Sequence, residues 1–171
     1  MSPQSMQGEA FLLTVAVVSL ALAGFASVIQ TFRRETEDPR DRDRQKAGVE
    51  FILQHTFAAC FFALFPFLLF YGGNCEQQVW AISSASLAIV LFAILYRHIS
   101  LVINLRRRHR PPRMFIPLIA ILFGTLVILV LQLSNLWNPL LSKYASGVFW
   151  LLVAAGGQFF SSFRFLLSNE N

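Results

Sequence analysis

Charged residues are scarce in this chain, and their scarcity excludes an ordinary soluble domain. Asp, Glu, Lys and Arg make up 13% of the 171 residues, whereas hydrophobic residues make up 56%. A soluble domain carries about 25% charged and about 45–50% apolar residues. The four charged residue types are also missing from the central part of every long apolar run. Such runs are typical of transmembrane helices, so the composition predicts an integral membrane protein.

Residue types that carry chemistry are equally few. The chain has two cysteines and three histidines, and they lack the spacing of a metal site or a redox pair. The sequence also lacks an HExxH motif, a glycine-rich phosphate loop and a pair of carboxylates within an apolar run. We therefore predict that the protein is not an enzyme, holds no metal and has no cofactor. No folded module accompanies the basic residues, which argues against nucleic-acid binding.

Five apolar runs are long enough to cross a bilayer core of about 30 Å. They predict an all-α, polytopic membrane helix bundle with five transmembrane helices in a single domain, residues 1–171. The predicted spans are Glu9–Thr31, Val49–Tyr71, Gln78–Asn104, Met114–Ser134 and Tyr144–Leu167. The third helix should continue toward Arg108, because the next helix-breaking residues are Pro111 and Pro112.

Basic residues predict the orientation of the spans. With five spans, every lysine and arginine except Lys143 lies on one side of the membrane. Cytoplasmic loops carry an excess of Lys and Arg. We therefore predict that loops 32–48 and 105–113 are cytoplasmic, with the N-terminus outside and the C-terminus in the cytoplasm. Compact loops and the lack of targeting features favour a multi-pass protein of the cell membrane, such as a bacterial inner membrane.

Small and polar residues of the first span fall on one side of the helix. At 100° per residue, seven of them lie within about 40° of one line. We call them the first-span stripe: Glu9, Ala16, Ser19, Ala23, Ser27, Gln30 and Arg34. The stripe should face protein or water rather than lipid. It is consistent with a pore lining and with a helix-packing seam, because small residues let helices approach closely in lipid.

Two further groups are candidates for function. A basic set without intervening acidic residues predicts binding of anionic lipid headgroups or another anionic ligand at the cytoplasmic face, although it is also explained by topology alone. Its members are Arg97, Arg106, Arg107, Arg108, Arg110 and Arg113. His55 is the deepest ionisable residue of the spans and, with Glu50, is a candidate for pH sensing; a packed histidine is the alternative.

The sequence favours two functions. The first is a homo-oligomeric pore, an ion channel lined by the first span, whose hydroxyl and charged residues would form rings around the axis. The alternative is a non-conducting interaction protein: a receptor, scaffold or accessory subunit of a membrane complex, in which the first-span stripe is a packing seam. Both imply contact with membrane lipids. The pore implies self-association, and the alternative implies a membrane or cytoplasmic protein partner.

Overall fold

The computed structural model describes residues 6–32, 39–107 and 115–168, which are helical apart from short connections. Within these residues the protein has five helices: α1 Glu9–Phe32, α2 Pro39–Tyr71, α3 Glu76–Arg107, α4 Phe115–Ser134 and α5 Leu141–Ser168. The all-helical prediction is confirmed, and each predicted span overlaps one helix. The predicted extension of the third helix is also confirmed, because α3 continues to Arg107.

Three helices are long and apolar enough to cross a membrane. The apolar segments have 20 residues in α1 (Glu9–Val28), 24 in α2 (Gly48–Tyr71) and 25 in α3 (Glu76–Ser100). Helix α4 has 20 residues and contains the shorter apolar stretch Ile119–Ser134, while α5 has 28 residues. The three long apolar helices support a membrane location, since about 20 apolar residues are needed to span the bilayer core.

Helix α2 begins at Pro39 rather than at the predicted Val49, so much of the segment predicted as the loop 32–48 is helical. Proline suits the first turn of a helix, where its missing N–H would have no intrahelical partner. Opposite charges also recur three positions apart in this segment, as at Arg40 and Asp43, a spacing that favours helix by about 0.2–0.5 kcal/mol per pair. A polar composition therefore excludes a span here but does not exclude a helix.

A glycine turn ends α2 and leads into α3. Gly73 has a φ of 89°, a left-handed conformation that glycine adopts without strain. Its N–H donates to the Phe70 carbonyl, and the Asn74 side-chain amide donates to the Leu69 carbonyl over 2.9 Å. These bonds satisfy carbonyl groups that the end of a helix would otherwise leave open. These bonds and the left-handed Gly73 together end α2 in a tight turn.

The chain divides into two compact units. One contains Met1–Gln7 and Phe65–Trp150, and therefore α3, α4 and the adjoining parts of α2 and α5. The other contains Gly8–Leu64 and Leu151–Asn171, and therefore α1 and the remaining parts of α2 and α5.

In the first unit, α4 and α5 form an antiparallel helical hairpin, and α3 lies along α4. Two hydrogen bonds define the hairpin. The Gln132 side chain donates to the backbone carbonyl of Lys143, and the Trp150 side chain donates to the Thr125 hydroxyl. The two contacts are seven residues apart on each helix, in opposite chain directions. Seven residues span about 10 Å of helix, or about two turns, so α4 and α5 stay in contact over that length.

Candidate functional site

The described residues place polar side chains inside the protein and large apolar side chains outside. The buried polar residues are Ser19, His55, Thr56, Ser83, Ser84, His98, Thr125, Gln132 and Asn135. The outer face of α3, by contrast, exposes Ile82, Ile89, Phe92, Tyr96 and Ile99. In lipid the outer surface must be apolar and interior polar groups need protein partners. The polar interior is therefore the place to look for a functional site.

The largest group of buried polar side chains lies in the first unit, where α3, α4 and α5 meet. We call it the α3–α5 polar cluster: Ser83 and Ser84 of α3, Gln132 of α4, Asn135 just after α4, and Tyr144 of α5. All five side chains are fully buried. Serine, glutamine, asparagine and tyrosine are uncharged at neutral pH, so the cluster is a neutral hydrogen-bonding site.

Asn135 joins three segments through its side-chain amide. Its Nδ2 donates to Ser84 Oγ, 2.7 Å away, and to the Leu140 carbonyl oxygen, 3.2 Å away. Its Oδ1 accepts a hydrogen bond from the Leu140 N–H over 2.8 Å. Asn135 therefore closes the connection between α4 and α5 and attaches it to α3. Because Ser84 lies near the start of α3 and Asn135 follows the end of α4, these two helices run antiparallel.

The Gln132 side chain contacts the backbone of α5 beside Gly147, where the helix carries no side chain. Its Nε2 donates to the Lys143 carbonyl oxygen over 2.6 Å. A Cβ at Gly147 would lie 2.5 Å from Gln132 Nε2 and 2.7 Å from Leu87 Cδ2, closer than real Cβ atoms approach other atoms. The absence of a side chain at Gly147 is therefore what admits Gln132. Within the described residues, Gln132 Oε1 has no hydrogen-bond partner.

Tyr144 is the aromatic member of the cluster and lies beside Ser83 and Trp80. Its hydroxyl lies beside Ser83, although Ser83 Oγ makes no hydrogen bond of regular geometry to the described residues. The Tyr144 ring packs against the buried Trp80 indole, with ring centroids 5.8 Å apart and planes tilted by 38°. Two large aromatic rings thus pack together beside the cluster, and aromatic pairs of this kind stabilise a packed core.

A second glycine contact lies two turns further along the α4–α5 hairpin. Trp150 Nε1 donates to Thr125 Oγ1 over 3.1 Å, and that hydroxyl donates in turn to the Ile121 carbonyl over 2.8 Å. A Cβ at Gly124 would overlap the Trp150 ring. A glycine on one helix therefore admits a larger side chain of the other at both levels, and each of these side chains makes a hydrogen bond across the hairpin.

The centre of the first-span stripe is buried in the folded chain. Ala16, Ser19 and Ala23 are all buried, and Ser19 Oγ donates to the Val15 carbonyl over 2.7 Å. The buried face of α1 consists of Leu12, Val15, Ala16, Ser19, Ala23 and Ala26. Spacings of three and four residues are typical of a helix side that packs against other helices. The centre of the stripe thus lies on the buried side of α1, as a packing seam would.

The ends of the first-span stripe behave differently from its centre. Glu9 is half-exposed, and Ser27 is exposed with its hydroxyl donating to the Ala23 carbonyl over 2.9 Å. Gln30 belongs to α1, but its side chain is outside the described set, and Arg34 lies outside the described residues altogether. The buried side of α1 therefore leaves the predicted line toward the C-terminal end of the helix, where Ala26 is buried in place of Ser27.

The predicted basic set is only partly described by the structure. Arg97 is exposed on α3, and Arg106 and Arg107 belong to the end of the same helix. The other three members lie outside the described residues: Arg108, Arg110 and Arg113. Helix α3 thus carries three arginines within its last three turns or so, and the binding of anionic headgroups there stays a prediction.

His55 is buried and packs against its own helix. Its Nδ1 lies 2.9 Å from the Phe51 carbonyl oxygen, and its ring is stacked on the Phe51 ring at a centroid distance of 3.9 Å. A ring nitrogen this close to a carbonyl carries the proton, so Nδ1–H is the donor. Glu50 is exposed. This is the geometry of a packed histidine, and the predicted pH sensing by the two residues stays a prediction.

The members of the α3–α5 polar cluster are not recognisable as a group in the sequence, because they come from three helices. The available signal is local: Gln132 and Asn135 follow a long apolar run, and Ser83 and Ser84 lie inside another. Amide and hydroxyl groups within a span need partners in the bundle. That rule marks each residue as inward-facing but does not say which of them meet.

Within the described residues, no group of three or more His, Cys, Asp or Glu side chains has the arrangement of a metal site. Comparisons with protein-family models, with curated proteins and with solved structures find no match for this chain.

Proposed function

We propose that this protein is a non-conducting interaction protein of a membrane: a receptor, scaffold or accessory subunit of a membrane complex. The observation that carries the proposal is the burial of Ala16, Ser19 and Ala23 within the folded chain. A residue that lines a pore between subunits must be exposed on the single chain, because the axis of a ring lies outside each subunit. The centre of the first-span stripe does not meet this condition.

Hydrogen bonding on α1 supports the same proposal. The hydroxyl groups of Thr14, Ser19 and Ser27 each donate to the carbonyl four residues earlier, over 2.7, 2.7 and 2.9 Å. A hydroxyl that bonds its own helix needs neither water nor a neighbouring helix as acceptor for its proton. The polar side chains of α1 are therefore compatible with close packing in lipid.

The proposal includes a position in the membrane. The five helices cross the cell membrane, a bacterial inner membrane in this proposal, with the N-terminus outside and the C-terminus in the cytoplasm. Three long apolar helices and the one-sided distribution of basic residues support this arrangement. The arginine-bearing end of α3 then faces the cytoplasm, where it would bind anionic headgroups or a partner protein.

Single-channel recording tests the non-conducting function. Purified protein reconstituted in a planar bilayer is expected to leave the bilayer conductance unchanged at all voltages, because the buried seam gives ions no path along α1. The control is the Ser19→Ala variant, which removes the hydroxyl with little change in volume. Unitary currents in the wild type would contradict the proposal, and a change of their amplitude in Ser19→Ala would place the conducting path along the first-span stripe.

A homo-oligomeric pore is the competing proposal, and the position of Glu9 favours it. Glu9 is half-exposed at the start of α1, where a ring of carboxylates at an outer mouth would attract cations. If the protein conducts, Glu9→Gln should lower the ratio of cation to anion permeability. A wild type without any current rejects the pore.

A further inference from the structure

The connection between α4 and α5 presents an apolar surface. Trp137 is 82% exposed, and its neighbours Leu136 and Leu140 are 38% and 44% exposed. Water is an unfavourable environment for such a group of side chains. The boundary between lipid and water is a favourable one, because an indole ring has an apolar body and a polar N–H. The surface therefore fits the interfacial region of a membrane.

This connection is held in one conformation by the α3–α5 polar cluster. Both backbone groups of Leu140 are bonded to the side chain of Asn135, which is itself bonded to Ser84. Both ends of the short segment that carries Trp137 are thus fixed. A surface that is already ordered loses less conformational entropy when it binds a ligand, so the exposed indole is well suited to binding.

A lysine lies beside the same connection. Lys143 is in the first turn of α5, and its Nζ lies 3.4 Å from the Asn138 carbonyl oxygen. Lysine side chains near the ends of membrane helices extend their ammonium group toward the headgroups, and an ammonium group binds phosphate as a compact charge. The connection therefore carries an aromatic ring suited to the interface at Trp137, and the first turn of α5 carries a cation suited to phosphate at Lys143.

We infer that residues 136–143 form a phospholipid-binding site. The Trp137 indole lies at the level of the lipid carbonyl groups, and the Lys143 ammonium group pairs with a headgroup phosphate. A phosphodiester is common to all phospholipids, so the site fixes the depth of the α4–α5 hairpin rather than selecting one headgroup. The inference rests on the membrane position in the proposed function, which places this end of the hairpin at a membrane surface, and it does not depend on whether the protein conducts.

Fluorescence quenching in nanodiscs tests the position of Trp137. The contribution of Trp137 is the difference in emission between the wild type and Trp137→Phe. Lipids brominated on the upper acyl chain should quench this difference emission at least twofold more than lipids brominated near the chain end. Trp80→Phe isolates the buried Trp80 in the same way, and its contribution should be quenched less.

Solid-state NMR tests the position of Lys143. The chain has two lysines, so the Lys46→Gln variant labelled with ¹⁵N-lysine gives a side-chain ammonium signal from Lys143 alone. Dephasing of this signal by lipid ³¹P is expected, because the ammonium group and the phosphate are in contact.

The inference stands if both signals appear and is overturned if either is missing. Quenching of Trp137 by aqueous iodide without quenching by brominated lipid would mean that the connection lies in water. Protection of Trp137 from both quenchers would mean that a protein partner covers it. Either result would reject the lipid site and would leave the conductance result unchanged.

Discussion

Gly147→Ala is expected to lower the stability of the protein by about 1–3 kcal/mol, the cost of overpacking a well-packed site. The added Cβ would lie 2.5 Å from Gln132 Nε2 and 2.7 Å from Leu87 Cδ2. Gln132 could move away only by giving up its 2.6 Å bond to the Lys143 carbonyl. Unfolding in mixed SDS micelles, followed by helical circular dichroism, measures the change.

Gly156→Ala is the matched control for Gly147→Ala. Gly156 lies in the same helix, and a Cβ there would meet no atom within 4 Å. Because alanine is favoured over glycine in helix interiors by about 1 kcal/mol, this variant should be as stable as the wild type or more stable. Equal losses of stability in the two variants would contradict the overpacking at Gly147, because a Cβ at Gly156 has no such contact.

Asn135→Ala is expected to have a similar or larger effect. The substitution removes three hydrogen bonds and leaves the Leu140 N–H, the Leu140 carbonyl and Ser84 Oγ without their partner. A buried polar group left unsatisfied costs about 1–3 kcal/mol, and this cost applies in full to Ser84 Oγ, because Ser84 is fully buried whereas Leu140 is partly exposed. The same SDS titration should show the loss, and the α4–α5 connection should become more accessible to protease.

Two further variants show whether the Asn135 effect is specific. Asn138→Ala removes an exposed asparagine side chain from the same connection and should change stability by less than 0.5 kcal/mol or so, as is usual for surface positions. Asn135→Asp keeps an acceptor for the Leu140 N–H but loses both amide donors and buries a charge, so it should not rescue stability. If Asn135→Ala and Asn138→Ala unfold at the same SDS concentration, the bridging role of Asn135 is wrong.

The positions of the helices could be predicted from sequence because two strong physical signals define them. Long apolar runs define the parts that lipid can surround, and Gly73 supplies the left-handed conformation that ends α2. The start of α2 could not be predicted by the same reasoning. Hydropathy marks the end of the apolar segment but cannot detect a polar helix that continues beyond it. The start of α2 at Pro39 depends instead on the geometry of the first turn and on charge spacing.

Burial along α1 follows the line of the first-span stripe at its centre and departs from it at its end. Ala16, Ser19 and Ala23 face inward, as expected for small residues on one line of a helix. Further along, Ala26 is buried and Ser27 is exposed. Ser27 satisfies its own hydroxyl through the Ala23 carbonyl, so burial against another helix is not needed. A projection at 100° per residue contains no information on such local bonds.

The α3–α5 polar cluster could not be predicted because it depends on which helices are neighbours. Gln132 meets Lys143 only when α4 and α5 form a hairpin of a particular register, and Asn135 meets Ser84 only when α3 lies beside that hairpin. Gly147 does indicate that another helix lies close to α5, because glycines in spans commonly mark a close approach of two helices. Its partner, however, comes from the fold and not from the neighbouring sequence.

The central claim is that the first-span stripe is a packing seam, and thiol modification at Ser19 tests it most directly. The experiment uses Ser19→Cys combined with Cys60→Ala, so that the exposed Cys75 is the internal reactive control. A small cationic methanethiosulfonate should modify Cys75 rapidly and leave the thiol at position 19 unmodified until the protein is unfolded. Modification of position 19 in the native protein at a rate near that of Cys75 would contradict the seam and restore the pore lining.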